Sequence, residues 1–402
     1  MHSPGAAAVR SRWRHEDQIL AALRRQGAMR RADLAAAVGI SRTTLSEIVT
    51  DLIERGAVQV TSTDAAARRG SGRPAELLSL NPRSGQYLGI DIAHAAVHLA
   101  VVDASHQVIA AEQREIAPDA PWEERISLAL AAITDMERAG TRLEALQGVG
   151  VGLPGPYSPS WSGDHAEARA SSSAARRLVE DVVQERFGVG PLLDTNTRLA
   201  ALAEALQRGE AEEDLVYMRV ATGIGGGVVV DGRLVHGGRG LSGEFGHVTV
   251  HHEGRRCRCG KRGCLETVAS LPAVLETCRG RGLDLATTEE LQRAVGRADP
   301  VLEDALREAG TAAGKVLAST VLALNPTQLV VGGTLARIAP LFVQQIASTI
   351  TFEVHPIDGA RPEVRVSELG DSGGARGAIH ALLHRSSLLV DYPGGLREAS
   401  GG

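Results

Sequence analysis

Long apolar runs, aromatic residues, lysine and cysteine are all scarce in this sequence of 402 residues. No apolar run approaches the roughly 18 residues that a transmembrane helix needs, and the N-terminus lacks the charged and then apolar pattern of a secretion signal. Four cysteines are too few for a disulfide scaffold of this length. The sequence therefore predicts a soluble, cytoplasmic protein without membrane contact, long enough for two or three domains.

Because lysine occurs only at Lys261 and Lys315, arginine carries nearly all of the positive charge. Residues 1–85 contain 13 arginines and 8 acidic residues, a balance of +5, whereas the remainder of the chain has a balance of −10. A basic surface attracts polyanions. We therefore expect the N-terminal segment, and not the acidic body, to meet a nucleic acid.

Three of the four cysteines crowd into eight positions, and a histidine lies ten residues before the first of them. This tight, odd-numbered group does not suit disulfides, which also need an oxidising compartment. Thiolates and a neutral imidazole are preferred ligands of tetrahedral zinc, and Cys₃His is a common structural set. We expect zinc to be bound by His247, Cys257, Cys259 and Cys264. A chance cluster of free thiols is the alternative.

The N-terminal segment has the pattern of a helix-turn-helix unit. Apolar periodicity predicts a helix from His15 to Gly27 and a second, short helix over 31–38. A turn at Gly39 follows, and Ser41 is a good N-cap for a long amphipathic helix. Helix, glycine turn and capped helix in this order are typical of a DNA-binding helix-turn-helix.

In such a unit the second helix enters the major groove with its N-terminal residues against base edges. Arg42 can pair with guanine or hold a phosphate, and the neighbouring hydroxyls can contact either. An ordinary three-helix core with a solvated face is the alternative. The residues predicted to contact DNA from this helix are Ser41, Arg42, Thr43, Thr44 and Ser46.

Two apolar segments, 58–63 and 76–80, predict a β-hairpin with a basic, glycine-rich tip. Arg69 and Arg73 lie in this tip, and Pro74 follows the second of them. Such a slim arginine-bearing loop suits insertion into a narrow minor groove. We interpret the hairpin as the wing of a winged helix-turn-helix; a disordered linker is the alternative.

Strands and helices alternate through the body, which indicates an α/β fold. The glycine-rich run 221–227 lies between two apolar strands and can turn backbone N–H groups towards an anion, although glycines also make tight turns. Strands are predicted within 87–102 and at 107–115, 148–153, 192–194, 215–220 and 228–230, with helices at 123–138 and 197–208.

Five motifs of the body stand out: Gly-Val-Gly-Val-Gly-Leu-Pro-Gly (148–155), Thr-Gly-Ile-Gly-Gly-Gly (222–227), Leu-Ser-Gly-Glu-Phe-Gly-His (241–247), the His/Cys₃ cluster ending in Cys-Leu-Glu (264–266), and Asn-Pro-Thr-Gln-Leu-Val-Val-Gly-Gly (325–333). Together they resemble the ROK family of bacterial sugar kinases and repressors, and the basic wing resembles that of its regulator branch.

This resemblance implies a winged helix-turn-helix followed by the two-lobed actin-like ATPase (ribonuclease H-like) fold of sugar kinases. The implied division is a DNA-binding head at 1–85, a first α/β lobe at 86–195 with 370–390, and a second at 196–369. The second lobe would carry the zinc site and the dimer contacts. Residues 391–402 are expected to form a disordered tail.

The resemblance also assigns roles to single residues. Glu244, His247 and Glu266 match positions that hold sugar hydroxyls, and carboxylates are suitable fixed acceptors. His247 would bind zinc through one ring nitrogen and offer the other to the sugar, so the zinc would be structural. Surface carboxylates are the alternative for the two glutamates.

Two departures from the family pattern argue against kinase activity. Kinases follow their first strand with Asp-x-Gly-Gly-Thr, whereas this chain has Asp-Ile-Ala-His-Ala at 91–95. The position of the catalytic base, an aspartate in kinases, is Asn196, which can hydrogen-bond a hydroxyl but cannot take its proton. A register shift of two would put Asp194 there instead. The segment 170–176 also lacks the tryptophan-containing sugar loop of family regulators.

The sequence as a whole therefore predicts a transcriptional regulator of the repressor type, which senses a sugar without phosphorylating it. Its partners would be an inverted-repeat operator in double-stranded DNA, a small sugar effector, and further copies of itself in a homodimer or tetramer. Two alternatives remain: an active ATP-dependent sugar kinase with a DNA-binding head, and a constitutive DNA-binding protein with a vestigial cleft.

Overall fold

The computed structural model describes residues 15–16, 18–23, 26–54, 57–63, 76–81, 85–103, 108–141, 143, 146–155, 166–207, 214–354 and 361–385. Within these ranges no helix combines the length and the apolar character required to cross a bilayer.

The head contains three helices and a small sheet of order β1-β3-β2. The predicted helices and both wing strands are present, while β1 is too short to have a readable pattern. The wing tip lies outside the described residues, and Arg69 and Arg73 lie there with it. The elements are α1 (residues 18–23), β1 (Met29–Arg30), α2 (Arg31–Val38), α3 (Arg42–Glu54), β2 (Val58–Thr63) and β3 (Glu76–Leu80).

The turn between α2 and α3 follows from its residue types. Gly39 has φ +73°, a left-handed conformation that glycine adopts without a Cβ clash. The Ser41 hydroxyl accepts a hydrogen bond of 3.1 Å from the Thr44 backbone N–H and caps α3 as expected. Leu34 and Leu45 are buried beneath the turn, so apolar packing holds the two helices together.

The first lobe is built on a sheet of order β6-β5-β4-β7-β8. β4 pairs antiparallel with β5 and parallel with β7; β5 and β6 are antiparallel, and β7 and β8 are parallel. The elements are β4 (Gln86–Ile92), β5 (Ala96–Asp103), β6 (Val108–Glu115), α4 (Trp122–Arg138), β7 (Leu146–Leu153), α5 (Ala166–Phe187) and β8 (Leu192–Thr195).

The second lobe repeats this plan, with the order β11-β10-β9-β12-β13 and the same sequence of antiparallel and parallel pairs. The strands are β9 (Leu215–Val220), β10 (Ile224–Val230), β11 (Arg233–Leu234), β12 (Gln328–Gly332) and β13 (Glu363–Val366). The helices are α6 (Asn196–Gln207), α7 (Glu266–Ala269), α8 (Leu271–Gly280), α9 (Thr288–Gly296), α10 (Pro300–Leu324), α11 (Thr334–Ile338) and α12 (Pro340–Glu353), and α13 (Gly373–Arg385) follows β13.

Two helices lie between the sheets and join the lobes. α6 packs on β9 and β10, α13 packs on β4 and β7, and the two helices pack against each other. Their approach is close, because a Cβ at Gly377 would collide with the backbone carbonyl of Leu199. The space beside these two helices is where a cleft between the lobes can open.

The head is connected to the first lobe by a continuous apolar cluster. Buried head residues such as Leu78 and Leu80 belong to the same cluster as Tyr87 of β4 and as Ile379 and Leu383 of α13. Apolar contact of this kind is close-packed and transmits displacement. The head and α13 therefore contribute to one apolar cluster.

Candidate functional site

A cleft lies at the carboxyl ends of strands from both sheets. The turn after β4, the loop after β7, the start of α6 and the turn between β9 and β10 all border it. Open α/β sheets bind ligands at this edge, because the loops there are free to carry specific side chains. Side chains that line the cleft include His94, Asn196, Arg219, Glu244, His247 and Arg258.

The four predicted metal ligands lie together beside this cleft. The ligand atoms of His247, Cys257, Cys259 and Cys264 all lie within 4.8 Å of one another. Nδ1 of His247 is 3.6 Å from Sγ of Cys257, and Sγ of Cys259 is 3.5 Å from Sγ of Cys264. Tetrahedral zinc with Zn–S bonds of about 2.3 Å needs separations of this size. The residues therefore fit a zinc ion.

Backbone contacts shape the metal-binding loop. The Cys257 N–H donates to the Lys261 carbonyl at 2.8 Å, and the Val250 N–H donates to the Gly263 carbonyl at 2.8 Å. Gly263 has φ +65°, and a Cβ there would collide with the carbonyl of His251. This glycine is required because the two sides of the loop approach so closely.

Burial favours the uncharged forms of three members of the metal-free cluster. Burial lowers the pKa of His247, which keeps its imidazole neutral, as a metal ligand must be. Burial, together with its hydrogen bond to Cys259, raises the pKa of Cys264 to about 12, and burial raises the pKa of Cys257 as well. Without a cation these thiols hold their protons, so metal binding would release them.

Glu244 presents a carboxylate to the cleft. Its side chain makes no hydrogen bond within the described part of the chain, and burial raises its pKa. Oε1 of Glu244 lies 3.4 Å from the position that a Cβ of Gly155 would take, so the glycine leaves room before the carboxylate. A free, partly desolvated acceptor is suited to a ligand hydroxyl. His247 borders the same space and directs Nδ1 towards the cysteines.

Glu266 differs from Glu244, because its carboxylate is already occupied. Arg258 donates from Nε to Oε1 at 2.9 Å and from Nη2 to Oε2 at 3.3 Å, and the Ile224 N–H donates to Oε2 at 3.1 Å. The Glu266 side chain is 11% exposed and that of Arg258 is 53% exposed. Arg258 itself lines the cleft, although no sequence motif had indicated a role for it.

Asn196 lies in the cleft wall and contacts the end of β4. Its Nδ2 donates to Oδ1 of the buried Asp91 at 3.1 Å. Burial raises the pKa of Asp91 to about 6, and Oδ2 of this residue has no hydrogen-bond partner among the described residues. The amide at position 196 is thus engaged with Asp91 as well as facing the cleft.

Asp194 is held away from the cleft by its neighbours. Oδ1 accepts from Nε of Arg198 at 2.7 Å, and Oδ2 lies 2.7 Å from Nε2 of His236. Burial raises the pKa of Asp194, but the His236 hydrogen bond and the Arg198 charge outweigh burial and leave it below its ordinary value. A carboxylate bound on both sides is unsuited to act as a base, which disfavours the shifted register.

The turn after β4 is rigid and carries side chains. Nη1 of Arg125 donates to the carbonyls of Ala93 and His94 at 2.7 and 3.0 Å. His94 lines the cleft, and burial together with the charge of Arg258 lowers its pKa. This turn therefore presents the Cβ atoms of Ala93 and Ala95 and the imidazole ring of His94 to the cleft.

The glycine-rich run after β9 does not form the long anion-cradling turn that its composition indicated. Residues 224–227 belong to β10, and the turn is only the short segment 221–223. A Cβ at Gly226 would collide with the Tyr217 carbonyl and meet the Phe245 ring, and one at Gly227 would lie 2.6 Å from Cβ of Ala201. Close packing accounts for Gly226 and Gly227, whereas Gly223 and Gly225 line the cleft.

The start of α3 is exposed on the head. Ser41, Arg42, Thr43 and Ser46 are exposed, while Thr44 is half-buried and its hydroxyl lies 2.8 Å from that of Ser41. The predicted DNA-contacting residues therefore share one accessible end of the helix, and Ser41 also caps it.

Comparisons with known proteins agree with both parts of the chain. The sequence profile described as the ROK family matches residues 87–385, and the profile described as winged helix-turn-helix DNA-binding matches residues 18–59. The DNA-binding transcriptional repressor Mlc of Escherichia coli is 26% identical over 90% of this chain and 92% of its own. The dual regulator NagC of the same species is 28% identical over 90% of each chain, and the xylose repressor of Bacillus subtilis is 24% identical over 90% of this chain and 91% of its own.

Solved structures share the fold. A ROK family transcriptional regulator, described as a homologue of E. coli Mlc, matches with a TM-score of 0.72 at 21% identity, over 92% of this chain and 96% of that one. The ROK hexokinase of Thermus thermophilus matches with a TM-score of 0.59 at 30% identity, over 73% of this chain and 97% of its own. The predicted architecture, a winged helix-turn-helix on a two-lobed sugar-kinase fold, is confirmed.

Proposed function

Because the chain belongs to the ROK family, we propose that it is a DNA-binding transcriptional regulator, a repressor whose operator binding is modulated by a sugar or sugar derivative in the cleft. The observation that carries this proposal is the union, in one chain, of a winged head with an exposed recognition-helix end and a cleft with an unpaired acceptor, Glu244. We further propose that the protein acts in the cytoplasm, where its operator is.

The head would bind double-stranded DNA through the N-terminal end of α3. Arg42 would contact a guanine or a phosphate, with Ser41, Thr43, Thr44 and Ser46 around it. Arg69 and Arg73 of the wing would enter the minor groove. Lysine is nearly absent, so the electrostatic attraction to phosphates would come from arginine.

The protein would act as a homodimer or tetramer on an inverted repeat, since two-fold proteins read palindromic sites. The second lobe offers a surface for this contact. Leu322 on α10 is 64% exposed and Phe352 on the adjacent α12 is 87% exposed. Large exposed apolar side chains on neighbouring helices mark association surfaces. Light scattering of the full chain tests this part of the proposal.

In the cleft, Glu244 would accept hydrogen bonds from sugar hydroxyls and Asn196 would offer its amide oxygen. His247 would bind zinc through Nδ1 and give Nε2–H to the sugar. The zinc, held by His247, Cys257, Cys259 and Cys264, would be structural: it would fix the ring orientation and the pocket wall. Glu266 would take part through Arg258, with which it is paired.

We propose that no phosphoryl transfer occurs here. An amide at position 196 cannot take a hydroxyl proton, and general-base loss typically lowers rates by about 10²- to 10⁴-fold. His94 and the alanines beside it also fill the corner where a kinase brings glycines to the phosphates. The observation that favours the rival view, an active kinase, is the 30% identity to a ROK hexokinase. ATP turnover over a sugar panel decides between them.

The signal from the cleft to the head would pass through α13. Asp371, just before this helix, lines the cleft and pairs with Arg219 of β9 at 3.4 Å. Ile379 and Leu383, further along, belong to the apolar cluster shared with the head. A ligand that binds one lobe arrangement better than the other would shift α13 and thus the head.

Operator binding measured with and without sugars tests the proposal. Gel shifts on DNA from the chain's own genomic region, combined with titration calorimetry of a sugar panel, should show binding that one sugar alters. Glu244→Gln should abolish the sugar response, whereas the exposed Glu253→Gln should keep it. Absence of DNA binding at low salt would contradict regulation, and a response unchanged in Glu244→Gln would identify a constitutive DNA-binding protein with a vestigial cleft.

A further inference from the structure

Arg258 occupies a place in the cleft wall where the family resemblance leads one to expect a free carboxylate. It lies between two metal-binding cysteines, so the metal loop holds its backbone. Both oxygens of Glu266 are used, by Arg258 and by the Ile224 N–H. The guanidinium group of Arg258 is therefore the group that this part of the cleft wall presents to a ligand.

The pair with Glu266 uses only part of the hydrogen-bonding capacity of Arg258. Its Nε and Nη2 each donate once to Glu266, and Nη1 makes no hydrogen bond within the described part of the chain. Guanidinium is a pure donor with a planar fork that matches carboxylate and phosphate oxygens. Glu266 accepts hydrogen bonds from one edge of the Arg258 guanidinium group, and the other edge remains available to a further acceptor.

Stability alone is a weak reason for this arrangement. The Arg258 side chain is 53% exposed, and a half-exposed ion pair contributes only about 0–1 kcal/mol. Charges nearby favour a ligand role. Arg219, which pairs with Asp371, lines the same cleft, and burial and the charges of Arg258, Arg125 and Arg219 lower the pKa of His94 there. Glu244 remains the unpaired acceptor for hydroxyl groups.

We propose that Arg258 determines effector specificity, so that the cleft takes an anionic sugar whose carboxylate or phosphate accepts hydrogen bonds from Arg258 while its hydroxyls donate to Glu244. This inference rests on the proposed sugar-sensing function and deepens it. Carboxylate and phosphate share the chemistry that Arg258 recognises, and the experiment separates them.

Titration calorimetry on the full-length, zinc-loaded protein tests the proposal. The probes are two series, each with a neutral, a carboxylate and a phosphate member: glucose, glucuronate and glucose 6-phosphate, and galactose, galacturonate and galactose 6-phosphate. An acidic member should bind on the order of 10- to 100-fold more tightly than its neutral counterpart, as expected for a charge-assisted hydrogen bond. That preference should diminish as salt is raised from 0.05 to about 0.5 M.

Two variants give the matched comparison. Arg258→Gln should lose the preference for the acidic sugar, whereas Arg262→Gln, an exposed arginine of the same loop that does not line the cleft, should keep it. Zinc content checks that the loop is intact. If Arg258→Gln loses zinc, Arg258→Lys, which retains charge without the fork, should show a reduced preference.

The outcomes separate the inference from the function on which it rests. Equal binding of neutral and acidic sugars by the natural protein, or a preference unchanged in Arg258→Gln, would overturn the anionic-ligand proposal and leave sugar sensing in place. If no member of either series binds or alters operator binding, sugar sensing itself fails and this inference with it.

Discussion

Nδ2 of Asn196 donates a 3.1 Å hydrogen bond to Oδ1 of Asp91 and thereby joins the start of α6 to the end of β4. In an active kinase the residue at position 196 would need a free carboxylate facing the substrate. Here Nδ2 is held by a buried carboxylate, and only the amide oxygen is left for the cleft. The contact ties the two lobes together at the base of the cleft.

Replacing Asn196 with aspartate should not create a kinase. Asn196→Asp would remove the donor and bring a second carboxylate against Asp91, which should lower the free energy of unfolding by about 1–3 kcal/mol at pH 8. The loss should be smaller at pH 5, where the two carboxylates can share a proton. Urea unfolding at both pH values and an ATP-turnover assay check this. Sugar-dependent ATP consumption by the variant would contradict it.

Asp91 should make stability depend on pH. Burial raises its pKa in the folded protein to about 6, from an ordinary value of 3.8. The folded state therefore binds this proton more tightly than the unfolded chain. The stabilisation is fully present below about pH 4 and is lost as the pH rises through 6, with a total on the order of 3 kcal/mol.

Urea midpoints measured between pH 4 and 7 test this dependence. Asp91→Asn keeps an acceptor for Asn196 and should flatten the profile over this interval, whereas the exposed Asp181→Asn should leave its shape unchanged. An Asp91→Asn profile as steep as that of the natural protein would assign the pH dependence to other groups.

Loss of a metal ligand should remove zinc and weaken the effector response. Cys259→Ser breaks the set in which Sγ of Cys259 lies 3.5 Å from Sγ of Cys264, and the loop that carries His247 and Arg258 should then lose its order. Elemental analysis should find one zinc per natural chain and none in the variant. Cys278→Ala, which changes the one cysteine outside the cluster, should retain the metal. An unchanged effector response in Cys259→Ser would count against a structural zinc.

Arg42 should contribute to operator binding through direct contact with the DNA, and not by stabilising the folded head. Arg42→Ala removes an exposed guanidinium at the start of α3 and should weaken binding by about 1–3 kcal/mol if it reads a base, or reduce the salt dependence if it holds a phosphate. Gel shifts at two salt concentrations distinguish these cases. Arg138→Ala on the body serves as control. Equal effects of the two variants on DNA binding would show that the start of α3 does not recognise DNA.

The contact between α6 and α13 should tolerate no added methyl group. A Cβ at Gly377 would overlap the Leu199 carbonyl, so Gly377→Ala should lower the free energy of unfolding by about 1–3 kcal/mol. Gly280 in α8 has open space around it, and Gly280→Ala should instead stabilise the protein slightly. A denaturation midpoint of Gly377→Ala equal to or above that of the natural protein would show that the two helices can move apart.

Local patterns in the sequence were sufficient to predict the head. Gly39 and Ser41 have a single physical use at a turn and at a cap, and apolar periodicity gave α2, α3 and both wing strands. The clustering of His247 with Cys257, Cys259 and Cys264 was equally predictable, because three cysteines at such short spacing have few other uses, and their role as metal ligands stays a prediction. These features depend on residues that are close together in the chain.

Long-range contacts could not be predicted from the sequence in the same way. The pairing of Arg258 with Glu266 depends on how the metal loop folds over the turn after β9, and the engagement of Asn196 depends on a neighbour 105 positions away. The close packing at Gly226 and Gly227 could not be predicted for the same reason, because the Phe245 and Ala201 side chains that approach them come from distant parts of the chain. The arginine between two cysteines was the only sequence signal for the guanidinium group in the cleft wall.

The crossed packing of α6 and α13 has a consequence for how the body folds. α6 follows the last strand of one sheet and covers the other sheet, and α13 does the reverse. The sheet of each lobe is therefore covered by a helix that follows the last strand of the other sheet, so neither lobe has a complete core alone. The two lobes should melt in a single cooperative transition, and fragments cut between them should be unable to fold except when mixed.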